Sequence, residues 1–535
     1  MAIENKPAGS LKVKTLQIHW HDKQAVYSVD FEPGTSERFA TGGADNAVRI
    51  WKIQKSETEP PNIQFRSTLS RHSAAVNVVR WSPKGGVLAT GGDDASIILW
   101  REAPHTAATQ SAGNIADEDE EENLETWRLH NHLKIPTGRE IYDLAWSPDA
   151  NYIISACFDN VARIWDTRDG KCIHAIEDHT HVVQGVAWDP LEQYLATQSS
   201  DRSVHIYSYD IKPTGVTVKR LASHSRIDTL QPAEPSGSRS NTPIPPPQSS
   251  PTKPAAASSS AAPIPEVPVP APVLQPPTKM RMYRDETLVS FFRRLTFSPD
   301  GSLLITPTGQ YKLGTGKNDI VRNATFVYTR GGIRKQPVVI LPNMKKPSIA
   351  VRFNPRFYEL EERQTQATFL LPHRLIFAVA AQDAVLIYDT QAATPLALMK
   401  NLHYATINDI AWSYDGTTLM LVSSDGFCSM VVFDKEELGM VIARDPTAAM
   451  DGVEILSTGV TVPDNVAMRD NDVEMIVDDD ESRMPDKKNE GALSQAKLMK
   501  FDMAGSAADP VRIDSVEPID VDSVEQTIEV EQTVL

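Results

Sequence analysis

Cysteine is scarce in this sequence, with three residues among 535, namely Cys157, Cys172 and Cys428. Thiols so few and so widely separated exclude a disulfide framework and a cysteine-ligated zinc site, and they favour a reducing compartment. Long apolar runs are also missing, because no stretch approaches the roughly 18 uninterrupted apolar residues of a membrane span. The first residues, MAIENKPAGSLKVK, have no apolar run behind a basic start. We therefore expect neither a membrane span nor a signal peptide.

Catalytic signatures are missing as well, since the sequence contains no GxSxG, HExxH or CxxC motif. Residues 311–318 read YKLGTGKN, which has a Gly-Lys pair but lacks the first glycine and the following Ser or Thr of a phosphate-binding loop. We expect a hairpin loop there. The sequence therefore predicts a protein that is not an enzyme and that uses neither a cofactor nor a metal ion.

An excess of basic charge is absent too, and the net charge is −17. Most of it lies in residues 441–535, which hold 8 Lys and Arg against 22 Asp and Glu, a net charge of −14. Binding to a phosphate backbone depends on clustered Lys and Arg that release counterions. We therefore expect neither non-specific nor sequence-specific direct DNA binding, and the acidic balance suits a basic partner.

What the sequence does contain is a repeat. One unit is an alternating strand that ends in an aromatic residue, a turn, a second strand, a small-residue/Asp turn, and a third strand that also ends in an aromatic residue; residues 141–166 show it in full. The unit recurs seven times. The first-strand aromatics are Phe31, Trp81, Trp146, Trp188, Phe297, Phe353 and Trp412, and the third-strand aromatics are Trp51, Trp100, Trp165, Tyr207, Tyr328, Tyr388 and Phe433. Such a repeat predicts an all-β, seven-bladed propeller of the WD40 type.

The turns of this repeat carry polar residues at fixed offsets. Four aspartates come directly before third strands: Asp45, Asp94, Asp159 and Asp201. His72, His179 and His403 precede their first strands by a similar offset. A carboxylate in a tight turn can accept backbone N–H groups, so we expect a structural hydrogen-bond network in each blade rather than catalysis or metal binding.

The two ends of the repeat array also fit together. After Phe433 the seventh blade lacks an outer strand, while the alternating segment 11–20 precedes the first unit and has no blade of its own. We expect this segment to supply the missing strand, because pairing the ends closes the ring and removes an open sheet edge. The propeller is therefore predicted over residues 11–440, with units five and six stretched by loop insertions.

Three segments do not fit the propeller pattern. Residues 231–279 contain 15 of the 38 prolines, so we predict a disordered Pro/Ser/Ala-rich insertion over 225–280, between blades four and five. It acts as a linker or, through PxxP-like sequences, as an SH3 or WW ligand. Residues 101–123 form an acidic loop between blades two and three, either solvated or in contact with a basic partner such as a histone. Residues 441–535 are predicted to be a disordered acidic tail. The acidic run of the loop consists of Asp117, Glu118, Asp119, Glu120, Glu121 and Glu122.

Several stretches are more particular than a generic repeat. They closely resemble the WD40-repeat middle subunit of chromatin assembly factor one. The stretches are HSAAVNVVRWSPKGGVLATGGDD at 72–94, VVQGVAWDPLEQYLATQSSDR at 182–202, SFFRRLTFSPDGSLLITP at 290–307, LIYDTQ at 386–391 and HYATINDIAWSYDGTTLMLVSSDGFCSMVVFDKEELG at 403–439. The acidic insertion followed by Glu125-Thr126-Trp127 also matches an acidic loop of that family. The resemblance covers the whole propeller.

The resemblance implies a nuclear histone chaperone subunit. Members of the family work with a large acidic subunit and a second, smaller WD40 subunit, and their complex deposits histones H3 and H4 on replicating or repaired DNA. The family also receives histones from an anti-silencing-type chaperone through an Arg-Arg-Ile-x-Pro-like motif beyond the propeller. This chain has no good copy of that motif: Arg293-Arg294-Leu295 lies within a blade, and Val511-Arg512-Ile513 has only one basic residue. That contact is therefore in doubt here.

Two other functions stay open at this point. A propeller can be the substrate receptor of a ubiquitin ligase, but such a role usually needs a docking element outside the propeller, and none precedes residue 11. A replication-independent histone chaperone has a similar WD40 half, but its second large domain has no counterpart in this tail.

Candidate partner-binding residues follow from the position of the repeat. Phe291, Phe292, Arg293 and Arg294 are expected to begin the first strand of blade five, beside the Pro-rich insertion. Loops on the top of a propeller and at its channel entrance are common docking surfaces. We predict that Arg293→Glu with Arg294→Glu weakens binding of the large subunit and leaves thermal stability unchanged.

Overall fold

The computed structural model describes residues 12–16, 20–54, 61–103, 123–212, 215–228, 279–312, 320–362, 367–392 and 394–442. These residues form seven four-stranded antiparallel sheets, two two-stranded ribbons and one four-residue helix, α1 (Lys435–Leu438). The seven sheets are the blades of a propeller, which confirms the predicted fold class. This helix is far too short to cross a membrane, and the described residues contain no longer one.

The first four blades follow one another along the chain, each with its strands paired in sequence order. The N-terminal strand β1 (Lys12–Leu16) precedes them. Blade one has β2 (Val26–Phe31), β3 (Arg38–Gly43), β4 (Val48–Gln54) and β5 (Asn62–Leu69); blade two has β6 (Val76–Trp81), β7 (Val87–Gly92), β8 (Ser96–Glu102) and β9 (Trp127–Lys134). Blade three has β10 (Ile141–Trp146), β11 (Tyr152–Cys157), β12 (Ala162–Asp166) and β13 (Cys172–Ile176); blade four has β14 (Val183–Trp188), β15 (Tyr194–Ser199), β16 (Ser203–Lys212) and β17 (Gly215–His224).

The last three blades are less regular. A ribbon of β18 (Arg226–Asp228) and β19 (Lys279–Arg281) comes first. Blade five has β20 (Thr296–Phe297), β21 (Leu303–Lys312), β22 (Val321–Thr329) and β23 (Val339–Met344). Blade six has β24 (Ser348–Phe353), β26 (Ile376–Ala381), β27 (Ala384–Asp389) and β28 (Ala397–Lys400). Blade seven has β29 (Ile407–Trp412), β30 (Thr418–Ser423) and β31 (Cys428–Val432), and a second ribbon pairs β25 (Phe357–Tyr358) with β32 (Val441–Ile442).

The N-terminal strand closes the ring, as predicted. β1 pairs antiparallel with β31, with Val13 opposite Val431, and becomes the outer strand of blade seven. The first strands line the centre, and β29 of blade seven contacts β2 of blade one. Inner strands are buried on both faces, as in β6, whereas the outer strand β9 is largely exposed. An inner strand packs against neighbouring blades on both sides, which explains its nearly continuous burial.

The boundaries of the inserted segments differ from those predicted. Residues 226–228 and 279–281 pair as the ribbon β18–β19, because Ile227 and Met282 are buried in the core of blade five. Val441 and Ile442 pair in the ribbon β25–β32, so the fold continues past residue 440. The remaining parts of the predicted insertions and tail, residues 104–122, 229–278 and 443–535, lie outside the described residues, as does most of the YKLGTGKN loop.

Two faces of the propeller follow from the alternating strand directions. We call top face the one formed by the connections before each first strand and by the turns between second and third strands. We call bottom face the one formed by the other connections. The Pro-rich insertion begins and ends on the top face, at the ribbon β18–β19, whereas the acidic loop joins β8 to β9 on the bottom face.

Candidate functional site

The predicted turn aspartates form a repeated hydrogen-bond network on the top face. In blade one, Asp45 Oδ1 lies 2.6 Å from His21 Nδ1, His21 Nε2 lies 2.9 Å from Thr41 Oγ1, and Trp51 Nε1 donates to Thr41 Oγ1 at 2.9 Å. Blades two and four pair Asp94 with His72 and Asp201 with His179 in the same way. These networks tie the turn, the preceding connection and the third strand of a blade together.

Each turn also contains a residue with positive φ, directly after the aspartate. These residues are Asn46, Ala95, Asn160, Arg202 and Gly426. The carboxylate accepts the backbone N–H two residues after it, as in Ser203 N to Asp201 Oδ1 at 3.0 Å. Such a bond closes a local turn of the kind that aspartate favours. The aspartates therefore have structural roles.

Blades three and seven vary this arrangement. Asp159 has no histidine partner and instead accepts from Thr137 Oγ1 at 2.5 Å and Arg163 Nη2 at 2.6 Å. Asp425, which was not among the predicted residues, pairs with His403 in blade seven at 3.0 Å. The Ser-Asp-Gly sequence after the second strand of that blade carries the signal that would have found it.

Hydrogen bonding decides the ionisation of these carboxyls. Burial alone would raise the pKa of Asp94, but the hydrogen bond from His72 and the backbone N–H groups of Ser73 and Ser96 hold the pKa below its usual value. The same balance lowers the pKa of Asp45, Asp201 and Asp425. The carboxylates are therefore charged and already occupied. Across the part of the chain that the structure describes, no three His, Cys, Asp or Glu side chains gather so as to hold a metal ion.

A second polar cluster fills the centre of the ring. Asp409, on β29 and fully buried, accepts from Ser28 Oγ at 2.8 Å, from Arg80 Nη1 at 2.9 Å and from Arg294 Nη1 at 2.7 Å; Arg352 Nη2 lies 3.5 Å from its other oxygen. Burial would raise the pKa of Asp409, but the three arginines hold it well below the usual range. One carboxylate thus joins side chains from four other parts of the ring.

Arg294 reaches furthest in this cluster. Its Nη1 donates to the carbonyls of Tyr27 and Asn408 at 3.0 Å each, and its Nη2 donates to the carbonyl of Asn77 at 2.7 Å. These carbonyls belong to blades one, seven and two. Its guanidinium lies 4.2 Å from the ring centroid of Phe292, which is itself buried. Arg294 therefore locks blades together across the centre.

The structure corrects the predicted role of three of the four residues at 291–294. Phe292, Arg293 and Arg294 are 1%, 0% and 0% exposed, so a partner on the top face cannot contact them. Arg293 donates to the carbonyls of Ser199, Arg284 and Asp285. The expectation that Arg293→Glu with Arg294→Glu leaves stability unchanged is wrong, because it would bury two carboxylates among carbonyl oxygens.

These residues also do not begin the first strand, which starts at Thr296. They form a plug that crosses the channel mouth before it. Arg293 N donates to Gln184 O at 3.1 Å, and the Arg293 carbonyl approaches Gly185 so closely that a Cβ there would lie 1.8 Å from it. Gly185 is therefore required for this approach. Of the four predicted residues, Phe291 is exposed, at 59%.

The acidic run Asp117–Glu122 lies outside the described residues, but the ends of its loop are fixed. Arg38 Nη2 donates to Glu102 at 2.7 Å and to Glu125 at 2.6 Å, and Arg66 Nε donates to Glu125 at 2.7 Å. The Arg38 guanidinium also lies 5.0 Å from the Trp127 ring centroid. The loop therefore leaves and re-enters the fold at one anchored place on the bottom face, away from Phe291.

Asp30, near the Asp409 cluster, has the opposite ionisation behaviour. Burial raises its pKa to about 6, against the opposing effects of Arg80 and of the Trp81 N–H that it accepts at 2.8 Å. A carboxyl with a raised folded-state pKa stabilises the fold below about pH 4, and this contribution is lost as the pH rises through about 6. Asp30 thus favours folding less at neutral pH than in mild acid.

We therefore expect Asp30→Asn to gain stability relative to the wild type as the pH rises from about 4.5 to 7.5. The asparagine keeps an acceptor for the Trp81 N–H but carries no charge. Urea denaturation of both proteins at several pH values measures the difference in free energy of unfolding. Asp383→Asn, at an exposed turn, is the control. A difference that does not change with pH would contradict the assignment.

Comparison with known proteins agrees with this architecture. The family model described as the CAF1B/HIR1 beta-propeller domain matches residues 11–234 and 255–438. The CAF1B subunit of chromatin assembly factor 1 from Gallus gallus is 38% identical over 82% of this chain and 70% of its own length. The corresponding subunit from Saccharomyces cerevisiae is 38% identical over 80% of this chain and 86% of its own length. Protein HIR1 of Kluyveromyces lactis is 25% identical over 80% of this chain and 44% of its own length. The chain therefore belongs to the family of CAF1B subunits of chromatin assembly factor 1, within the CAF1B/HIR1 β-propellers.

Proposed function

We propose that this chain is a non-catalytic scaffold subunit of a nuclear histone chaperone complex that deposits histones H3 and H4 on newly replicated or repaired DNA. One observation carries the proposal. Relatives that are CAF1B subunits of chromatin assembly factor 1 share 38% of their residues with this chain across the propeller, whereas a HIR1 protein shares 25%. Its partners would be a large acidic subunit, a small WD40 subunit and histones H3 and H4, with an anti-silencing-type chaperone as a further candidate.

The geometry suits a scaffold. The turn carboxylates are occupied by histidine, arginine and backbone N–H groups, and the channel is filled by the Asp409 cluster and the plug. A closed ring held by buried ion pairs presents its loops on a rigid frame, and loops on such a frame are common binding sites. We propose that this frame holds the other subunits in a fixed arrangement.

Within this function we propose that the acidic run Asp117–Glu122 contacts histones directly. The Arg38–Glu125–Arg66 anchor supports this, because it holds the loop ends on the bottom face and so limits where the acidic run can reach. Histones are strongly basic, and complementary charge accelerates and orients association. The top face stays free for other partners.

Co-purification tests the proposal. A tagged full-length chain, expressed in its own cells, is expected to recover a large acidic subunit, a small WD40 subunit and histones H3 and H4 from nuclear extract. Recovery of ubiquitin-ligase subunits instead, without histones, would overturn it. With the reconstituted complex, changing Asp117–Glu122 to the matching amides is expected to weaken H3–H4 binding by roughly 3- to 10-fold, as several exposed ion pairs are lost.

A matched control separates the loop from bulk acidity. Asp478, Asp479, Asp480 and Glu481 form another acidic cluster, which lies in the tail. Changing these four to amides is compared with changing four residues of the loop, Asp119–Glu122, by fluorescence titration of labelled histones at fixed salt concentration. Equal effects of the two variants would contradict a specific role of the loop.

A further inference from the structure

The exposed apolar residues of the plug region form a surface with no described partner. Val289 is 81% exposed, Phe291 is 59% exposed, and Phe158 of the neighbouring blade three is 38% exposed. We call these three residues the top-face patch. We propose that it binds a short peptide segment in which an apolar side chain packs on Phe291 and an adjacent lysine or arginine reaches Asp93 and Glu140. This inference goes beyond the scaffold function and does not depend on it.

The patch is built on a fixed support. The Phe291 ring stacks on Tyr142, with ring centroids 6.0 Å apart and an interplanar angle of 5°, and Tyr142 lies 6.3 Å from Phe158. Gln382 Nε2 donates to the Val289 carbonyl at 2.9 Å, and the adjacent Phe292 is buried. Because the backbone is held on both sides of Phe291, little conformational entropy is lost when a ligand packs on it.

Negative charge without a cationic partner lies beside these rings. Burial raises the pKa of Asp93, and the Glu140 carboxylate raises it further. Burial and the same two carboxylates raise the pKa of Tyr142, so the three groups lie close together. Among the described residues no lysine or arginine forms an ion pair with Asp93 or Glu140; Asp93 accepts from Asn77 Nδ2 at 2.5 Å. The nearby Arg139 lies instead over Phe158, 5.4 Å from its ring centroid.

Two acceptors at this rim lack a hydrogen-bond donor. Glu140 Oε2 is buried and unpaired, and so is Oε1 of Gln184, a residue that is 8% exposed. The Gln184 amide nitrogen points at the Ser290 carbonyl, at 3.5 Å, so this amide lies at the base of the plug. Buried acceptors are usually satisfied in folded proteins. A ligand with several N–H donors, such as a guanidinium or an ammonium group, would satisfy them.

These features select a basic peptide over other ligands. Aromatic faces attract cations, and Tyr142, Phe158 and Phe291 present such faces beside the carboxylates. A phosphopeptide or nucleic acid would bring negative charge to Asp93 and Glu140 and be repelled. An apolar residue next to a lysine or arginine matches both halves of the surface.

The test uses the full-length chain and defined probes. Fluorescein-labelled nine-residue peptides, arranged as a positional-scanning library with one fixed lysine or arginine, are screened by fluorescence anisotropy. The preferred peptides are expected to carry a Leu, Met or Phe within two positions of the basic residue. Remaking the best peptide with citrulline or norleucine in place of that basic residue is expected to weaken binding by about 10-fold.

Three variants locate the binding surface. Phe291→Ser is expected to weaken binding by about 10-fold or more, as for an interface anchor, and Glu140→Gln by roughly 3- to 5-fold. Tyr414→Ser, at an exposed aromatic residue of the bottom face, is expected to have no effect. Melting temperatures show whether each variant is folded, and the exposure of Phe291 predicts that it is.

The proposal is overturned by any of three results. These are no peptide binding tighter than about 100 µM, equal binding by Phe291→Ser, and equal binding of the uncharged peptide. Co-purification of the complex subunits with Phe291→Ser then reports on the scaffold function separately. Intact co-purification without peptide binding would reject this inference alone.

Discussion

Replacing Asp409 by asparagine is expected to lower the free energy of unfolding by about 3–5 kcal/mol, the usual cost of breaking a buried ion pair. The side chain keeps its size, so no cavity contributes to the loss. What is removed is the negative charge that Arg80, Arg294 and Arg352 share in the centre of the ring. Three buried guanidinium groups would then repel one another, with Asp143 as the nearest remaining carboxylate.

Chemical denaturation at pH 7 measures this loss, and Asp383→Asn at an exposed turn is the control, with an expected change within about 0.5 kcal/mol. The pKa of Asp409 is held well below its usual range, so its contribution is present above the unfolded value near 4 and lost as the pH falls below it. The wild type should therefore lose stability in acid more steeply than Asp409→Asn. A loss below about 1 kcal/mol at pH 7 would mean that the arginines find other acceptors.

The blades could be predicted from the sequence because their determinants are local. Val48 to Gln54 alternate in burial, and Trp51 ends the buried part of that strand, so a period of two indicated a strand without knowledge of its neighbours. The turn at Asp45 depends on residues within two positions of the aspartate. Ring closure was predictable as well, since one unpaired strand and one incomplete blade remained.

The contacts of Arg294 could not be predicted in this way. Its hydrogen-bond acceptors at Tyr27 and Asn77 are 267 and 217 residues away in the chain. An Arg-Arg pair beside exposed-looking aromatic residues has the same local pattern whether it points outward or into the channel. Only the closed ring brings Asp409 and three carbonyls to one place, and this overrides the usual preference of arginine for solvent.

The ribbon β25–β32 was missed for a related reason. Phe357 and Tyr358 lie in the long insertion of blade six, while Val441 and Ile442 follow the last blade, so neither pair suggests a sheet on its own. Their pairing depends on Arg374, a fully buried residue in a stretch without a repeat pattern. The segment after the last blade is thus part of the folded unit.

Arg374→Met is expected to loosen this C-terminal segment while the blades stay folded. Arg374 donates to Glu361 and to the carbonyl of Leu438, lies 3.5 Å from Asp389, and places its guanidinium 5.7 Å from the Tyr358 ring centroid. Methionine keeps the apolar stem of the side chain and removes its charge and its N–H groups. Helix α1 and β32 would then be held chiefly by apolar contacts and by the Glu359 N–H that donates to the Met440 carbonyl at 2.8 Å.

Amide hydrogen exchange resolves this local effect from global unfolding. The amides of residues 437–442 and of Tyr358 and Glu359 are expected to exchange about 10-fold faster or more in Arg374→Met, which corresponds to about 1.4 kcal/mol or more of local opening free energy. Amides of blade two should be unchanged. Arg356→Met is the matched control, because Arg356 packs over the exposed Tyr414 ring at 4.7 Å and forms no ion pair among the described residues. Equal exchange in both variants would assign the segment to apolar packing alone. Faster exchange only in Arg374→Met would show that one buried arginine sets the position at which residues 443–535 leave the propeller.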